Sequence, residues 1–264
     1  MIACTIQGGL ANCMFQIAAI SSLAKDNNTV ASFPNFDTQL DMMNKDTHHN
    51  PKLTYAHDYK TIFKNLNLIK EHINASEVIS IPFKYVEIPF KDNASYNGFF
   101  QCEKFFMHNR EFILHMYEPN DEIKNYINSK YGDLLKLNTC AIHVRRGDYV
   151  KLQHVHNVKG IEYFNLGIEA IGKVDKYLVF SDDIEWCKNN FIGPDFIFIE
   201  NEKDYIDLFL MSMCSHQIIS NSSFSWWAAW LNTNENKKVV GPLKWFNEVS
   251  IESADIIPVS WIKI

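Results

Sequence analysis

The sequence lacks the features of a membrane-spanning, exported or nucleic-acid-binding protein. No run approaches the ~20 apolar residues that cross a bilayer, and the first residues show no basic stretch followed by an apolar one. The net charge is −6, whereas a dedicated nucleic-acid binder carries a basic surface. We therefore expect a cytoplasmic protein without a nucleic-acid partner, and peripheral association with a membrane is left open.

Cysteine and glycine motifs are also missing. The six cysteines are scattered, with no Cys-x-x-Cys pair and no zinc-type array of Cys and His. Neither phosphate-binding glycine pattern, G-x-x-x-x-G-K-[ST] or G-x-G-x-x-G, occurs in the chain. The cysteines are therefore expected to be buried free thiols in a reducing compartment.

Arginine is scarce. Only three of the 25 basic residues are arginine, and two of these, Arg145 and Arg146, are adjacent. A planar guanidinium grips a phosphate or carboxylate with two hydrogen bonds, which the ammonium of lysine does poorly. The pair therefore indicates either an anion-binding site or a buried ion-pair network, and we expect one arginine to be structural and the other to face a ligand.

What the sequence does contain is an alternation of short apolar runs and helical segments, which is typical of parallel sheets covered on both faces. Its 264 residues are 47% hydrophobic and 21% charged, enough for one large domain or two small ones. We expect an α/β, GT-B-like architecture of two Rossmann-like domains facing a cleft. The first, over residues 1–135, is expected on the acceptor side, and the second, over 136–264, is expected to bind the donor.

The second half gives clear predictions for its secondary structure, while the first half gives weaker ones. Strands are expected over Thr139–Val144, Lys176–Phe180, Phe196–Ile199, Gln217–Ser220 and Lys238–Val240. In the first half, residues 35–75 are polar and hard to assign. The segments predicted there include helices over Tyr59–Ile73 and Glu103–Tyr117 and strands over Glu77–Phe83 and Tyr85–Phe90.

Four polar clusters fall where predicted strands end, which is the edge where doubly wound sheets bind ligands. They are Gly8–Asn12, His143–Asp148, Ser181–Asp183 and Ser220–Ser225. This coincidence of four clusters predicts a binding site more strongly than any one of them does.

Each cluster also has a structural alternative. Gly8 and Gly9 suit either a tight turn or a close approach of the backbone to a ligand. The Ser-Asp-Asp cluster suits a helix N-cap, a metal site or an acceptor for a ligand N–H or hydroxyl. The serine-rich cluster precedes a helix, where anions bind readily. The aromatic residues that follow it are expected to pack in the core and between the domains rather than to stack on a base: Trp226, Trp227 and Trp230.

Together the four clusters resemble glycosyltransferase family 11, the GDP-fucose-dependent α-1,2-fucosyltransferases. That family opens with the signature GGLGNQMFQ, and residues 8–16 here read GGLANCMFQ. Its His-x-Arg-Arg-Gly-Asp-Tyr motif stands at His143–Tyr149. Its Phe-Ser-Asp-Asp and Ser-Asn-Ser-(Ser/Thr)-Phe-Ser-Trp-Trp elements stand at Phe180–Asp183 and Ser220–Trp227.

The resemblance implies an inverting transfer of fucose from GDP-fucose to a glycan hydroxyl, without a metal cofactor. It implies that Arg145 contacts the donor phosphates, and that His143 and Asp183 hold the ribose and the guanine. The remaining donor-side residues that it implies are Gly8, Gly9, Asn12, Ser222, Ser223 and Ser225. Asp-x-Asp, the usual spacing for a divalent ion on a diphosphate in glycosyltransferases, is absent.

Two residues depart from the family signature, and the general base stays open. Ala11 replaces a glycine and Cys13 replaces a glutamine, so position 11 tests whether the loop needs a positive φ there. Asp148 and His156 are the candidates for the base, because each lies just beyond the arginine strand. Asp148 is alternatively a partner of an arginine. Two other functions stay in play: a non-catalytic protein that binds sugars or nucleotide sugars, and a transferase for another nucleotide sugar.

Overall fold

The computed structural model describes residues 1–45, 54–66 and 68–264. The chain divides into two compact units. The first comprises Met1–Glu118 together with Glu252–Pro258, and the second comprises Pro119–Ile251 together with Val259–Ile264. In the described ranges, no helix is both long enough and apolar enough to cross a bilayer.

The first unit is built on a four-stranded parallel sheet. Its strands and helices are β1 (Ile2–Cys4), α1 (Leu10–Asp26), β2 (Ala31–Ser32), α2 (Phe36–Lys45), β3 (Glu77–Ser80), β4 (Ala94–Asn97) and α3 (Arg110–Met116). The strand order is β2-β1-β4-β3, with every neighbouring pair parallel. Helix α1 follows the loop after β1 and is buried along most of its length.

The second unit is built on a six-stranded parallel sheet in the order β10-β9-β8-β5-β6-β7. Its elements are α4 (Asp121–Leu135), β5 (Thr139–Val144), α5 (Ile161–Ile171), β6 (Lys176–Ser181), α6 (Ile184–Asn190), β7 (Phe196–Phe198), α7 (Asp204–Met213), β8 (His216–Ile219), α8 (Ser223–Leu231), β9 (Val239–Gly241) and β10 (Ile262–Lys263).

Strand β5 lies at the centre of the second sheet, and all six of its residues are buried. A strand with apolar side chains on both faces needs cover from helices on both sides, which the alternating connections supply. The register places His143 beside Phe180 of β6 and Ile219 of β8. The carboxyl ends of β5, β6 and β8 therefore meet at one edge, where three of the polar clusters emerge.

The expected fold class is confirmed: the chain is α/β with two parallel sheets. In the second unit the predicted strands agree with the structure to within one or two residues. In the first unit, α2 was not predicted, and residues 85–90, expected as a strand, form none. The end of this segment is held by the Tyr96 hydroxyl, which donates to the Pro89 carbonyl at 2.9 Å and accepts from the Lys91 amide at 2.9 Å.

The two helices predicted in the first unit are shorter than expected. The segment Tyr59–Ile73 holds only the end of a 3-10 turn, Ala56–Thr61, and part of it lies outside the described residues. The segment Glu103–Tyr117 begins with two 3-10 turns, and α3 starts only at Arg110. Phe106 separates the two turns with φ −148° and ψ −2°, outside the helical region, so the helix cannot run through it.

The structural division falls after Glu118, whereas the sequence suggested residues 1–135 and 136–264. Helix α4 belongs to the second unit, where Tyr131 and Lys130 bind the Glu202 carboxylate at 2.6 and 2.5 Å. The segment Glu252–Pro258 belongs to the first unit, where the Asp255 carboxylate accepts from Lys104.

Candidate active site

Arg145 follows β5 and is fixed by two carboxylates. Its Nη2 donates to Asp148 Oδ1 at 2.5 Å, and its Nη1 lies 2.9 Å from Asp182 Oδ2. The guanidinium also lies over the ring of Tyr149, 5.1 Å from the centroid. These contacts hold the guanidinium in one orientation. A quarter of the Arg145 side chain is exposed, so the group stays open to a ligand.

Arg146 has different surroundings. Its Nε donates to Asp183 Oδ2 at 3.0 Å, and its guanidinium packs on the Trp186 ring, 4.4 Å from the centroid. Its backbone amide donates to Asp182 Oδ1 at 2.9 Å. Arg146 therefore connects the loop after β5 to the start of α6. Arg145 instead contacts one carboxylate in the loop after β5, Asp148, and one in the loop after β6, Asp182. The two arginines therefore have different surroundings, and which of them faces a ligand stays a prediction.

His143 is buried at the end of β5, with Nδ1 3.2 Å from Ser220 Oγ and its ring against Phe224. Burial, reinforced by the positive charge of Arg145, lowers the pKa of His143 to about 3. The imidazole is therefore neutral at pH 7, and its role at a ribose stays a prediction. Ser220 was part of a predicted cluster, but its contact with His143 could not be predicted because it depends on the pairing of β5 with β8.

Asp183 is an N-cap, as one of the alternatives predicted. Its Oδ1 accepts from the Trp186 amide at 3.2 Å, and its other oxygen holds Arg146. The neighbouring Asp182 belonged to the same predicted cluster without a role of its own, and it contacts both arginines. Burial raises the pKa of Asp182, against the lowering effect of Arg145. In the described parts of the chain, no three His, Cys, Asp or Glu side chains lie together as metal ligands would.

Gly147 makes the close contact with Asp182 possible. A Cβ at this position would lie 2.5 Å from Asp182 Oδ2. Since that oxygen also contacts Arg145, any larger side chain at position 147 displaces the carboxylate from the guanidinium. The glycine of the Arg-Arg-Gly-Asp motif therefore has a packing reason that involves the site itself.

The two candidate bases lie on either side of Tyr149. Asp148 holds Arg145, and His156 stacks on the Tyr149 ring with centroids 3.7 Å apart and planes 5° from parallel. Burial lowers the pKa of His156 and so favours its neutral form, and its buried Nδ1 has no hydrogen-bond partner among the described residues. Both residues are thus close to Arg145, and the assignment of the base to either stays a prediction.

The serine cluster leads from β8 into α8. Ser222 is the N-cap residue, and its carbonyl accepts from the Trp226 amide at 3.0 Å. Ser223 begins the helix. Ser225 is fully buried, and its hydroxyl donates to the Ser222 carbonyl at 3.3 Å. The hydroxyl of Ser225 therefore serves the first turn of the helix, and a role for all three serines at phosphates stays a prediction.

The glycine loop belongs to the first unit. Gly8 has a φ of +83°, and a Cβ there would lie 2.5 Å from the Asn12 amide nitrogen. The Asn12 Oδ1 accepts from Gln101 at 2.7 Å, and the Gly8 carbonyl accepts from Gln39 at 2.8 Å. Gln16 bridges the loop through hydrogen bonds to the Gln7 amide and carbonyl. The loop is therefore a tight turn with a defined shape, and its ligand role stays a prediction.

The two departures from the family signature are accommodated within α1. Ala11 lies in the first turn and is not among the residues with positive φ, so its Cβ causes no backbone strain. Cys13 is buried, with Sγ 3.8 Å from the carbonyls of Gln7 and Gly8, and burial raises the pKa of its thiol. The positive φ of this loop is at Gly8, a position that keeps its glycine.

The two units are each built on a parallel sheet, which is the α/β architecture of the GT-B fold, and the second carries arginines and carboxylates at its strand ends. The fold matches NodZ α-1,6-fucosyltransferase of Bradyrhizobium, soaked with GDP-fucose, at a TM-score of 0.50 and 13% identity, over 87% of this chain and 92% of that one. It also matches POFUT1 in complex with GDP, at 0.50 and 11%, over 91% and 97%.

The chain belongs to Glycosyl transferase family 11, whose sequence profile matches residues 1–264. It is 32% identical to the O-antigen biosynthesis glycosyltransferase WbnK of Escherichia coli, over 98% of this chain and 99% of that protein. It is 29% identical to an α-1,2-colitosyltransferase of the same species, over 100% and 99%. Human galactoside α-(1,2)-fucosyltransferase 1 is 29% identical, over 50% of this chain and 41% of its own length. The expected family is thereby confirmed.

Proposed function

We propose that this glycosyltransferase transfers L-fucose from GDP-fucose to a glycan hydroxyl, with inversion and without a metal cofactor, in an α-1,2 linkage to galactose or a similar sugar. The observation that carries the proposal is the fixed guanidinium of Arg145 at the end of β5. The names of relatives support the donor and the linkage, since full-length and partial relatives include α-1,2-glycosyltransferases.

The chemistry explains why such a guanidinium matters. A fucosyl group leaves through an oxocarbenium-like state, while negative charge grows on the departing diphosphate. A donor group that is already oriented towards that charge lowers the barrier, because it needs no reorganisation during the reaction. Asp148 and Asp182 supply that orientation, and a guanidinium has five N–H donors, more than these two contacts use. The remaining N–H donors are the groups that we assign to the phosphate oxygens.

The direct test is transfer from labelled GDP-fucose to acceptors that end in galactose, fucose or rhamnose, with the linkage of each product determined by NMR. We expect labelled product on at least one acceptor, with the new bond at the 2-hydroxyl. Boiled enzyme is the control for transfer without a catalyst. Tight binding of GDP-fucose with no product on any acceptor would favour the alternative of a non-catalytic binding protein.

A second candidate differs only in the donor sugar. The α-1,2-colitosyltransferase, which this chain matches over nearly its whole length, supports this candidate. In that relative the same type of chain transfers a different deoxy sugar. The same assay run with GDP-linked colitose discriminates the two. Faster transfer of colitose than of fucose on every acceptor would replace the proposed donor.

We expect the transfer to survive removal of divalent cations. Asp148, Asp182 and Asp183 are each bound to an arginine, so guanidinium groups occupy the carboxylates that a cation would need. Activity in an excess of EDTA should stay within about twofold of the untreated value, since charge stabilisation comes from fixed donors of the protein. A metal-dependent glycosyltransferase assayed in the same buffer should lose its activity. Complete loss that manganese restores would show that the proposal of metal independence is wrong.

A further inference from the structure

Lys159 is a buried lysine at the ligand edge of the second sheet. It is 8% exposed, and its ammonium donates to Asn157 Oδ1 at 2.8 Å and to the Lys244 carbonyl at 2.9 Å. The ammonium also lies 5.4 Å from the ring centroid of Tyr163, whose hydroxyl donates to the carbonyl of Ile219 at 2.6 Å. Ile219 ends β8, so Lys159 lies beside the loop that continues into the serine cluster.

A second contact places the same group next to that loop. The side-chain amide of Asn221 donates to the carbonyl of Trp245 at 2.8 Å, and Trp245 directly follows the residue whose carbonyl binds Lys159. The ammonium of Lys159 and the loop after β8 are therefore attached to adjacent carbonyls of one segment. Ser220, which precedes Asn221 in that loop, contacts His143 on β5, the strand that leads to Arg145.

The charge of Lys159 has no counter-ion in the described parts of the chain. Both of its hydrogen-bond partners are neutral oxygens, and the charge of nearby Lys244 has the same sign as its own. Burial, with a further contribution from Lys244, lowers the pKa of Lys159 to about 8. A buried cation without an anion costs stability, and this cost falls when an anion binds.

The arginine cluster has the opposite imbalance. Arg145 and Arg146 face the three carboxylates of Asp148, Asp182 and Asp183, and His143 is neutral. When all three carboxylates are ionised, this group is net negative before any ligand enters. A diphosphate adds at least two more negative charges, so the two arginines alone leave it poorly compensated.

We propose that Lys159 is a further cationic binding group for the diphosphate of the nucleotide-sugar donor. The inference rests on the proposed function, because it needs a donor with a diphosphate at the ends of β5 and β8. It assigns the missing positive charge to a residue outside the motifs shared with the family, eleven residues beyond Asp148.

The test compares a nucleotide with its nucleoside by isothermal titration calorimetry. In Lys159→Gln and Lys159→Met, we expect GDP to bind roughly 10- to 100-fold more weakly, as for loss of a charge-assisted hydrogen bond. Guanosine, which lacks phosphates, should bind within twofold of the wild type. Lys176→Met is the matched control. It removes the same charge at the opposite end of the sheet, where Lys176 starts β6, and should change neither affinity.

The two lysine variants separate charge from structure. Glutamine removes the charge but keeps a side-chain N–H donor, and so retains some of the hydrogen bonding. Lys159→Gln therefore still tests the role of the charge if Lys159→Met does not fold. Equal weakening of GDP and guanosine would overturn the inference in favour of a structural role, and unchanged GDP binding would also overturn it. If the wild type binds UDP and not GDP, the proposed donor is wrong. The role of Lys159 is then tested by comparing the binding of UDP and uridine to the wild type and the variants. Failure of the wild type to bind any nucleoside diphosphate would overturn both.

Discussion

Replacing Arg145 with lysine should lower kcat/KM for transfer roughly 100- to 1000-fold, the size seen when one fixed donor to a developing anion is removed. The charge stays, but the two-point grip does not. Arg145 meets Asp148 and Asp182 through two different nitrogens, at 2.5 and 2.9 Å, and one ammonium cannot bridge both carboxylates in that geometry. The loss should appear mainly in kcat, because Arg145 binds the diphosphate most strongly in the transition state, when negative charge grows on the departing GDP.

The measurement is steady-state transfer from GDP-fucose, with the melting temperature of each variant recorded alongside. Arg146→Lys is the matched control, since it makes the same change one residue away. Arg146 packs on Trp186 and holds Asp183, so its replacement should lower thermal stability more and the turnover less. A turnover of Arg145→Lys within threefold of the wild type would remove Arg145 from the phosphate role.

Replacing Trp227 with alanine should lower the free energy of unfolding of the second unit by about 3–5 kcal/mol. Trp227 is 0% exposed in α8, and its ring meets Trp226 and Trp230 edge-on, at centroid distances of 5.2 and 5.4 Å. The substitution removes most of a large buried side chain and leaves a cavity that the neighbouring rings cannot fill without moving. The three tryptophans are therefore core residues, as the sequence suggested.

Denaturant unfolding followed by tryptophan fluorescence measures this loss in one unit alone, because all six tryptophans lie in the second unit. Val249→Ala is the control, since Val249 is almost fully exposed and its truncation should change the stability by less than about 0.5 kcal/mol. If Trp227→Ala instead unfolded like the wild type but bound GDP more weakly, Trp227 would be a stacking platform for the base. That outcome would contradict the core assignment.

The sequence predicted the second unit far better than the first for a physical reason. The strands of the second sheet are short, almost wholly apolar runs bounded by polar turns, and β5 matches its prediction at both ends. In the first unit, a segment such as 85–90 is held by individual side-chain contacts, among them the Tyr96 hydroxyl at one end and the Asp255 carboxylate at the Tyr85 amide. Such contacts depend on individual polar groups and leave no periodic pattern in the sequence.

The sequence by itself determined the α/β class, the family and the four clusters at strand ends, because these depend on local pattern and on motifs read along the chain. Only the tertiary structure decided which charges meet. Val144 pairs with Ser181 in the parallel register of β5 and β6. This register brings Asp182 against Arg145, although the two residues are 37 positions apart along the chain. The neutral state of His143 and the uncompensated charge of Lys159 likewise follow from burial, which arises only when distant segments pack together.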